Sequence, residues 1–135
     1  MINFSQLFEI EQDCFGGSWT AEMLKAELDN PLTVSVTHTE SGRLAAFALG
    51  RVAADEGELY QIATLTGFRG RGIAEKLLVE LLEKMRKKGA SVCFLEVRSR
   101  NSAAISLYEK IGYERVSVRK NYYPDDDAII MRKDL

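Results

Sequence analysis

The stretch Glu58–Gly89, ELYQIATLTGFRGRGIAEKLLVELLEKMRKKG, decides how the rest of the chain must fold. Ile73, Ala74, Leu77, Leu78, Leu81, Leu82 and Met85 recur at steps of three and four, with charged residues filling the other side. That period predicts an amphipathic helix with one buried face. Glu80 with Lys84 and Glu83 with Lys87 stand four apart in the favourable order. Basic residues crowd the last turn, and Gly89 follows where a C-terminal cap belongs. The start of the helix breaks the same electrostatic rule. Arg69 and Arg71 flank the first turn, where the positive end of the helix dipole favours carboxylates. Gly70 and Gly72 remove side chains just where free N–H groups leave the helix end, so a phosphate could be held there by amides and guanidinium groups together. An ordinary glycine-containing turn with solvated arginines fits these residues too, and the surrounding sequence has to decide between them.

Upstream, Asn3 with Gln6 resembles a capping box, and Phe4, Leu7, Phe8, Ile10, Cys14 and Phe15 give a first helix its apolar stripe, ended by Gly16 and Gly17. Thr20 suits the N-cap of a second helix, Ala21 to Leu28, with Trp19 and Leu24 placed as a hydrophobic staple. Trp19 therefore reads as structural. From Leu32 to Thr37 the period changes to two. Glu40-Ser41-Gly42 then turns the chain into the apolar strand Leu44 to Val52, an antiparallel hairpin with His38 exposed near its end. A turn over Ala54 to Gly57 leads to the strand Glu58 to Leu65.

Downstream, Ser91 to Arg98 reads as a strand that must run parallel to Glu58–Leu65, because a helical crossover returns the chain in the same direction. Asn101 or Ser102 caps a short helix, Ala103 to Ile111, closed by Gly112. Strands follow at Tyr113 to Lys120 and Asp127 to Arg132, joined by the loop Asn121 to Asp126. The order αα-ββ-β-α-β-α-ββ predicts an α+β fold: a mixed, mostly antiparallel sheet with one parallel βαβ unit and flanking helices. The ligand site belongs at the C-terminal end of the parallel strands, where Arg69–Ala74 and Glu96–Asn101 both fall.

Composition frames this. The 135 residues suit a single domain with one sizeable core, 46% hydrophobic and 28% charged. No run is long and apolar enough for a membrane span or a signal peptide, so a cytoplasmic, membrane-free location is expected. Cys14 and Cys93, far apart, together with the single His38 offer neither a zinc site nor a Cys/His dyad, and the thiols read as buried and free. A net charge of −2 argues against direct nucleic-acid binding and suits a basic peptide partner.

Arg69-Gly-Arg-Gly72-Ile-Ala74 after a strand resembles the acetyl-CoA signature of the GNAT N-acetyltransferases. Asn101 to Tyr113 resembles that family's Asn-x-x-Ala-x-x-Leu-Tyr-x-x-x-Gly-[Phe/Tyr] pattern. Leu95–Arg98, Asn101–Tyr108, Asn121–Pro124 and Asp127–Met131 are similar to members that acetylate the N-terminal alanine of a ribosomal protein. The resemblance implies the GNAT acyl-CoA N-acyltransferase fold, acetyl-CoA as cosubstrate without a metal, and direct attack in a ternary complex. It also implies cofactor contacts from Arg69, Gly70, Arg71, Gly72, Ile73 and Ala74 on the pyrophosphate, from the backbone of Ile62, Ala63 and Thr64 on the acetyl-pantetheine arm, and from Asn101. Glu96 would be the general base and Tyr108 the general acid, while Tyr122 and Tyr123 would border a peptide groove.

These roles are chemically coherent, since an N-terminal amine with a free pKa near 8 needs modest help from a carboxylate and a leaving thiolate can take a proton from a phenol. Read without the resemblance, Tyr108 is a core residue beside Ala104, Ile105 and Ile111, and Glu96 a solvated strand residue. Thr64 stands where the family usually has an apolar branched residue, and Thr66 where it usually has proline. The first strand usual in the family is mostly missing, which exposes a sheet edge consistent with a monomer or weak dimer. The segment between Pro124 and Asp127 is short. A small-molecule amine as acceptor, and a non-catalytic acyl-CoA-binding module, are the alternative functions.

Overall fold

The residues from Arg43 to Ala53 form β2, the element around which the layers are arranged. Its alternating side chains are buried on both faces. Ala46, Ala48 and Val52 belong to one core cluster, and Phe47 and Leu49 to a second. The structure, a computed structural model, describes residues 3–135. Helices α1 (Phe4–Phe15) and α2 (Ala21–Asp29) cover one face of β2, bringing Leu7, Ile10 and Leu24 into the second cluster. Helix α3 (Ile73–Lys87) covers the other with Leu77, Leu78, Leu81 and Met85. Six α3 side chains are buried, which at about 1.5–3 kcal/mol each makes this face worth roughly 10 kcal/mol before chain entropy is counted.

The six-stranded sheet has the order β1-β2-β3-β4-β6-β5, with β1 Thr33–Glu40, β3 Glu56–Thr64, β4 Val92–Arg98, β5 Glu114–Tyr123 and β6 Asp126–Asp134. Only β3 and β4 run parallel, with α3 as their crossover. Helix α4 (Ser102–Ile111) joins α3 on the same face. The edges are β1 and β5, and nearly every residue of β5 is exposed.

Several expectations shift by a turn's width. Ser41 and Gly42, both at positive φ (50° and 77°), make a two-residue turn, so β1 extends to Glu40. His38 thus lies within the strand, half-buried and 3.1 Å from Glu40 Oε1. The next turn is equally tight: Glu56 already pairs with Ala53, across Ala54 at φ 55°. The expected Asn121–Asp126 loop is mostly strand, with the chain turning at Pro124-Asp125 between Tyr123 and its partner Asp126. Asn3 caps α1 by accepting from Gln6 N, but Gln6 does not return the bond; its Oε1 accepts from Leu44 N at 2.8 Å and ties α1 to β2. Of the helix pairs expected on α3, Glu83 bonds Arg86 rather than Lys87, and Lys84 donates to Ser35 O. Gly89, at φ 100°, ends α3 in the Schellman pattern, with Ala90 N on Met85 O.

The feature that shapes the site is a bulge in β3. Leu49 faces Gln61 and Gly50 faces Leu59, leaving Tyr60 as the extra residue. Gly50 is required there, because a Cβ would stand 2.1 Å from Glu58 O. A bulge bends and overtwists its strand. Accordingly β3 stays with β4 only over Glu56–Glu58 against Val92–Phe94, and the two then separate.

Candidate functional site

The separating strands open a cleft of about 1250 Å³. Its floor is Tyr60–Thr64 of β3 and Glu96–Arg98 of β4. One end is closed by Gly70, Gly72, Ile73 and Ala74 at the start of α3, with Asn101 just before α4 and Ala104, Leu107 and Tyr108 of α4 beside them. The other end is bordered by Ser18 and Trp19 from the α1–α2 connection and by Tyr123 from β5.

Backbone polar groups face this cleft for simple reasons. Leu65 N donates to Ala45 O, which sets Ala63 and Gln61 as the residues whose amides pair with β2. The ladder alternates, so the amide groups of Ile62 and Thr64 face the gap left by β4. Thr64 O is taken by Arg69 Nε at 2.9 Å and Cys14 Sγ at 3.2 Å. At the start of α3 the first helical bond is Lys76 N to Gly72 O, so the N–H groups of Ile73, Ala74 and Glu75 have no helical acceptor. Gly72 occupies the N-cap at φ 78° and supplies no side-chain cap. A Cβ on Gly70 or Gly72 would meet nothing within 4 Å, so these turns lie open to a ligand.

The two arginines behave differently from each other. Arg69 lines the cleft with its side chain half-exposed, its Nη2 lying 3.3 Å from Cys14 Sγ and 3.7 Å from Asp13. Arg71 bonds Glu40 at 3.0 Å, stacks over Phe68, and is not among the cleft-lining residues. Glu40, Asp13 and Glu75 thus answer within the protein much of the charge mismatch read at this helix start. Both pairs are exposed, and such pairs are worth at most about 1 kcal/mol, little enough for a bound phosphate to offset. Cys14, expected to be buried, is half-exposed at the cleft wall.

Glu96 and Tyr108 approach from opposite faces of the sheet. Glu96 alternates with the buried Leu95 and Val97, so it points toward the α1–α2 side, where Arg119 of β5 holds it at 3.2 Å. Tyr108 is 7% exposed, and burial pushes its hydroxyl up to about 12. Its ring meets Tyr113 edge-on at 5.8 Å. Asn101 caps α4 through Oδ1, which accepts from Ala104 N at 3.1 Å. Tyr123 lines the cleft with Arg98 stacked 3.9 Å over its ring. Burial, and then the nearby Glu96 charge, raises its hydroxyl. Tyr122 lies 50% exposed on the hairpin, outside the cleft.

The sequence reading did not single out three contributors. Asp13 of α1 accepts from both Thr66 N at 3.0 Å and Thr66 Oγ1 at 2.7 Å, which lowers its carboxyl below the usual range and pins the turn before Arg69. Thr66 in place of the family's proline supplies both donors. Asp126 accepts from Ser99 Oγ and Arg100 N, tying the β5–β6 hairpin to the end of β4. Gln61 lies in the cleft floor at 5% exposure. A glutamine between Tyr60 and Ile62 in the middle of the strand was the available signal for Gln61. Nothing local marks Asp13.

A mixed sheet split beside an uncapped, glycine-flanked helix start defines an acyl-CoA-dependent acyltransferase. The sequence matches the Acetyltransferase (GNAT) family over residues 4–113, and the chain belongs to that family. It is an acetyl-CoA-dependent N-acetyltransferase. It is 36% identical over 128 residues to the [Ribosomal protein bS18]-alanine N-acetyltransferase of Escherichia coli K12, covering 92% of this chain and 86% of that one. The crystal structure of the ribosomal-protein-S18-alanine N-acetyltransferase from Escherichia coli superposes with a TM-score of 0.91 at 32% identity, over 98% of this chain and 87% of that one. The PaiA N-acetyltransferase of Thermoplasma acidophilum, solved in complex with coenzyme A, shares the fold with a TM-score of 0.80 at 21% identity, over 98% of this chain and 93% of that one.

Proposed function

We propose that this chain acetylates the α-amine of the N-terminal alanine of ribosomal protein bS18. The observation that carries the reading is the single cleft running from the open α3 start, past the exposed β3 amides, to Glu96 and Tyr123. Its likeness over nearly the whole chain to enzymes named for that alanine supports the choice of acceptor.

The residues present fit acetyl-CoA. Free N–H groups at Ile73, Ala74 and Glu75, unobstructed by side chains at Gly70 and Gly72, suit the pyrophosphate. The Ile62 amide groups suit the pantetheine amides as a pseudo-strand would, and the Asn101 side-chain amide lies alongside. Bound acetyl-CoA supplies an activated acetyl carbon and a thiolate leaving group. The protein's part is to position and move protons. Glu96, held by Arg119, takes a proton from the attacking amine directly or through a water. The amine nitrogen bonds the acetyl carbon, the carbon–sulfur bond breaks, and Tyr108 donates its proton to the sulfur. Burial suits Tyr108 to this role, because it keeps the phenol neutral and therefore able to donate. Trp19 and Tyr123 flank the mouth through which a chain terminus would enter.

The test is direct. Purified protein, acetyl-CoA and a peptide carrying the bS18 N-terminus should release free CoA and yield a peptide acetylated on its first residue by mass spectrometry. CoA binding without release would reject catalysis in favour of a binding module. Acetylation of polyamines or aminoglycosides with the peptide untouched would reject the protein acceptor.

A further inference from the structure

Glu11 of α1 is fully buried, at 0% exposure. The other buried acid, Glu27, bonds Arg51 at 2.7 Å, whereas Glu11 pairs with no basic side chain among the described residues. An acid placed in this way destabilises the fold unless hydrogen bonds answer it. The donors come mainly from the α1–α2 connection. Glu11 Oε1 accepts from Ser18 Oγ and from Trp19 N, both at 3.1 Å, and Oε2 lies 3.5 Å from Gln12 Nε2. Little else holds that connection. Gly16 and Gly17, at φ 63° and 84°, turn the chain without side chains of their own. Among the described residues, the hydrogen bonds of Ser18 and Trp19 go to Glu11.

The connection that Glu11 holds borders one end of the cleft through Ser18 and Trp19, while the start of α3 closes the other. Trp19 stands against the bulge of β3. Its ring lies 6.5 Å from that of Tyr60, tilted by 55°, and the Arg51 guanidinium lies 5.6 Å over the Tyr60 ring. Both aromatic residues line the cleft. Resting on the proposed acetyl transfer to an amine, we infer that Glu11 is a positioning residue for the acceptor. By accepting from Trp19 N it fixes the connection, and with it the Trp19 ring as a wall of the place where the acceptor's first residues lie. An indole is a large, rigid contact whose direction rests on two torsions, so a fixed backbone leaves it few places to go. A wall ordered from inside the protein does not have to be ordered by the arriving acceptor, which would otherwise lose affinity in doing so. The bonds from Glu11 reach only the acceptor end, so the acetyl-CoA end is left untouched.

Trp19 is the chain's one tryptophan, so its fluorescence reports the surroundings of that ring directly. In the free protein Glu11→Met, which keeps the length and removes the acceptor oxygens, should shift the emission to the red. Glu11→Gln, which keeps an acceptor oxygen in place, should leave it unchanged. On whichever amine the wild type acetylates, Glu11→Met should raise the acceptor KM about fivefold or more, with kcat and the acetyl-CoA KM within about twofold. Glu11→Gln should restore the wild-type acceptor KM. In a Trp19→Ala background, Glu11→Met should add less than about twofold, because Glu11 acts through that ring. Should Glu11→Met not fold, Glu11→Asp, which withdraws the oxygens by one methylene, should give the same red shift and the same rise in acceptor KM. The emission needs no acceptor and the kinetics use the wild type's own amine, so failure of the bS18 peptide rejects the acceptor identity while leaving Glu11 testable. Unchanged emission or an unchanged acceptor KM in the folded variant would overturn the inference. So would both KM values rising together, which means a generally loosened fold, or Glu11 and Trp19 effects that multiply.

Discussion

Replacing Tyr108 by Phe removes one oxygen and little else, which makes it a clean probe of the proton given to the leaving thiolate. The ring is held independently of its hydroxyl: it packs edge-on against Tyr113 at 5.8 Å, and Tyr113 N bonds Tyr108 O at 2.9 Å in the turn closed by Gly112. Burial pushes the hydroxyl up to about 12, so at pH 8 only about one molecule in 10,000 is ionised and the donor is fully loaded. General-acid catalysis is worth about 10²–10⁴-fold. A thiolate, with a conjugate acid near 8.5, leaves without full protonation, so the lower end applies. Tyr108→Phe should therefore lower kcat about 100-fold, leave both KM values within twofold, and leave the thermal midpoint level or slightly raised. Steady-state release of free CoA and a calorimetric scan read all three. A kcat within twofold of wild type would reduce Tyr108 to a packing residue. A raised acetyl-CoA KM with normal kcat would instead make it a binding contact.

Glu96→Gln should lower kcat about 100-fold across neutral pH, with the acetyl-CoA KM unchanged in the same assay; normal turnover would remove Glu96 as the base. Asp13→Asn should raise the acetyl-CoA KM several-fold without touching the acceptor KM, because the carboxylate pins Thr66 and with it the turn that leads into α3; an unchanged KM would mean the turn holds its shape alone. Gly50→Ala should destabilise by about 3 kcal/mol, roughly 10 °C in thermal midpoint, since its Cβ would stand 2.1 Å from Glu58 O; a melt within 2 °C or so of wild type would contradict the bulge geometry. Stability should also fall in alkali. Tyr108 rises from 10.0 to about 12 and Cys93 from 9.0 to about 11, both through burial. The unfolded chain therefore releases those protons first, and stability is full below pH 9 and declines by ~2 kcal/mol per group toward pH 12. Denaturant midpoints measured from pH 8 to pH 11 check the sign; a midpoint that climbed with pH would contradict it.

Much of the architecture was legible because it is written in local pattern. The three-four period of α3, the caps at Asn3, Thr20 and Asn101, and the turn at Ser41-Gly42 depend on residues within a few positions of one another. Strand ends were less legible, because β-pairing extends wherever a partner is in register. That is why Glu56, Asn121, Tyr122 and Tyr123 joined strands where turns or a loop had been expected. Side-chain partners were the least legible. Gln6 looked like half of a capping box and instead reached Leu44, 38 positions away. Arg69, read as an anion ligand, lines the cleft and also reaches Thr64 O and Cys14, contacts that no local pattern announces.

By itself the sequence determined the element order, the parallel βαβ unit and the placing of Arg69–Ala74 and Glu96–Asn101 at one end of it, since periodicity and crossover handedness leave few alternatives. Tertiary structure alone decided that the end is an open cleft. The bulge at Tyr60 needs a glycine on the neighbouring strand, the parting of β3 from β4 follows from that bulge, and Asp13 meets Thr66 across 53 positions. Whether a side chain has a partner is settled by what lies across the gap. For Gln61 Oε1 no donor lies there, and the oxygen stays enclosed without one.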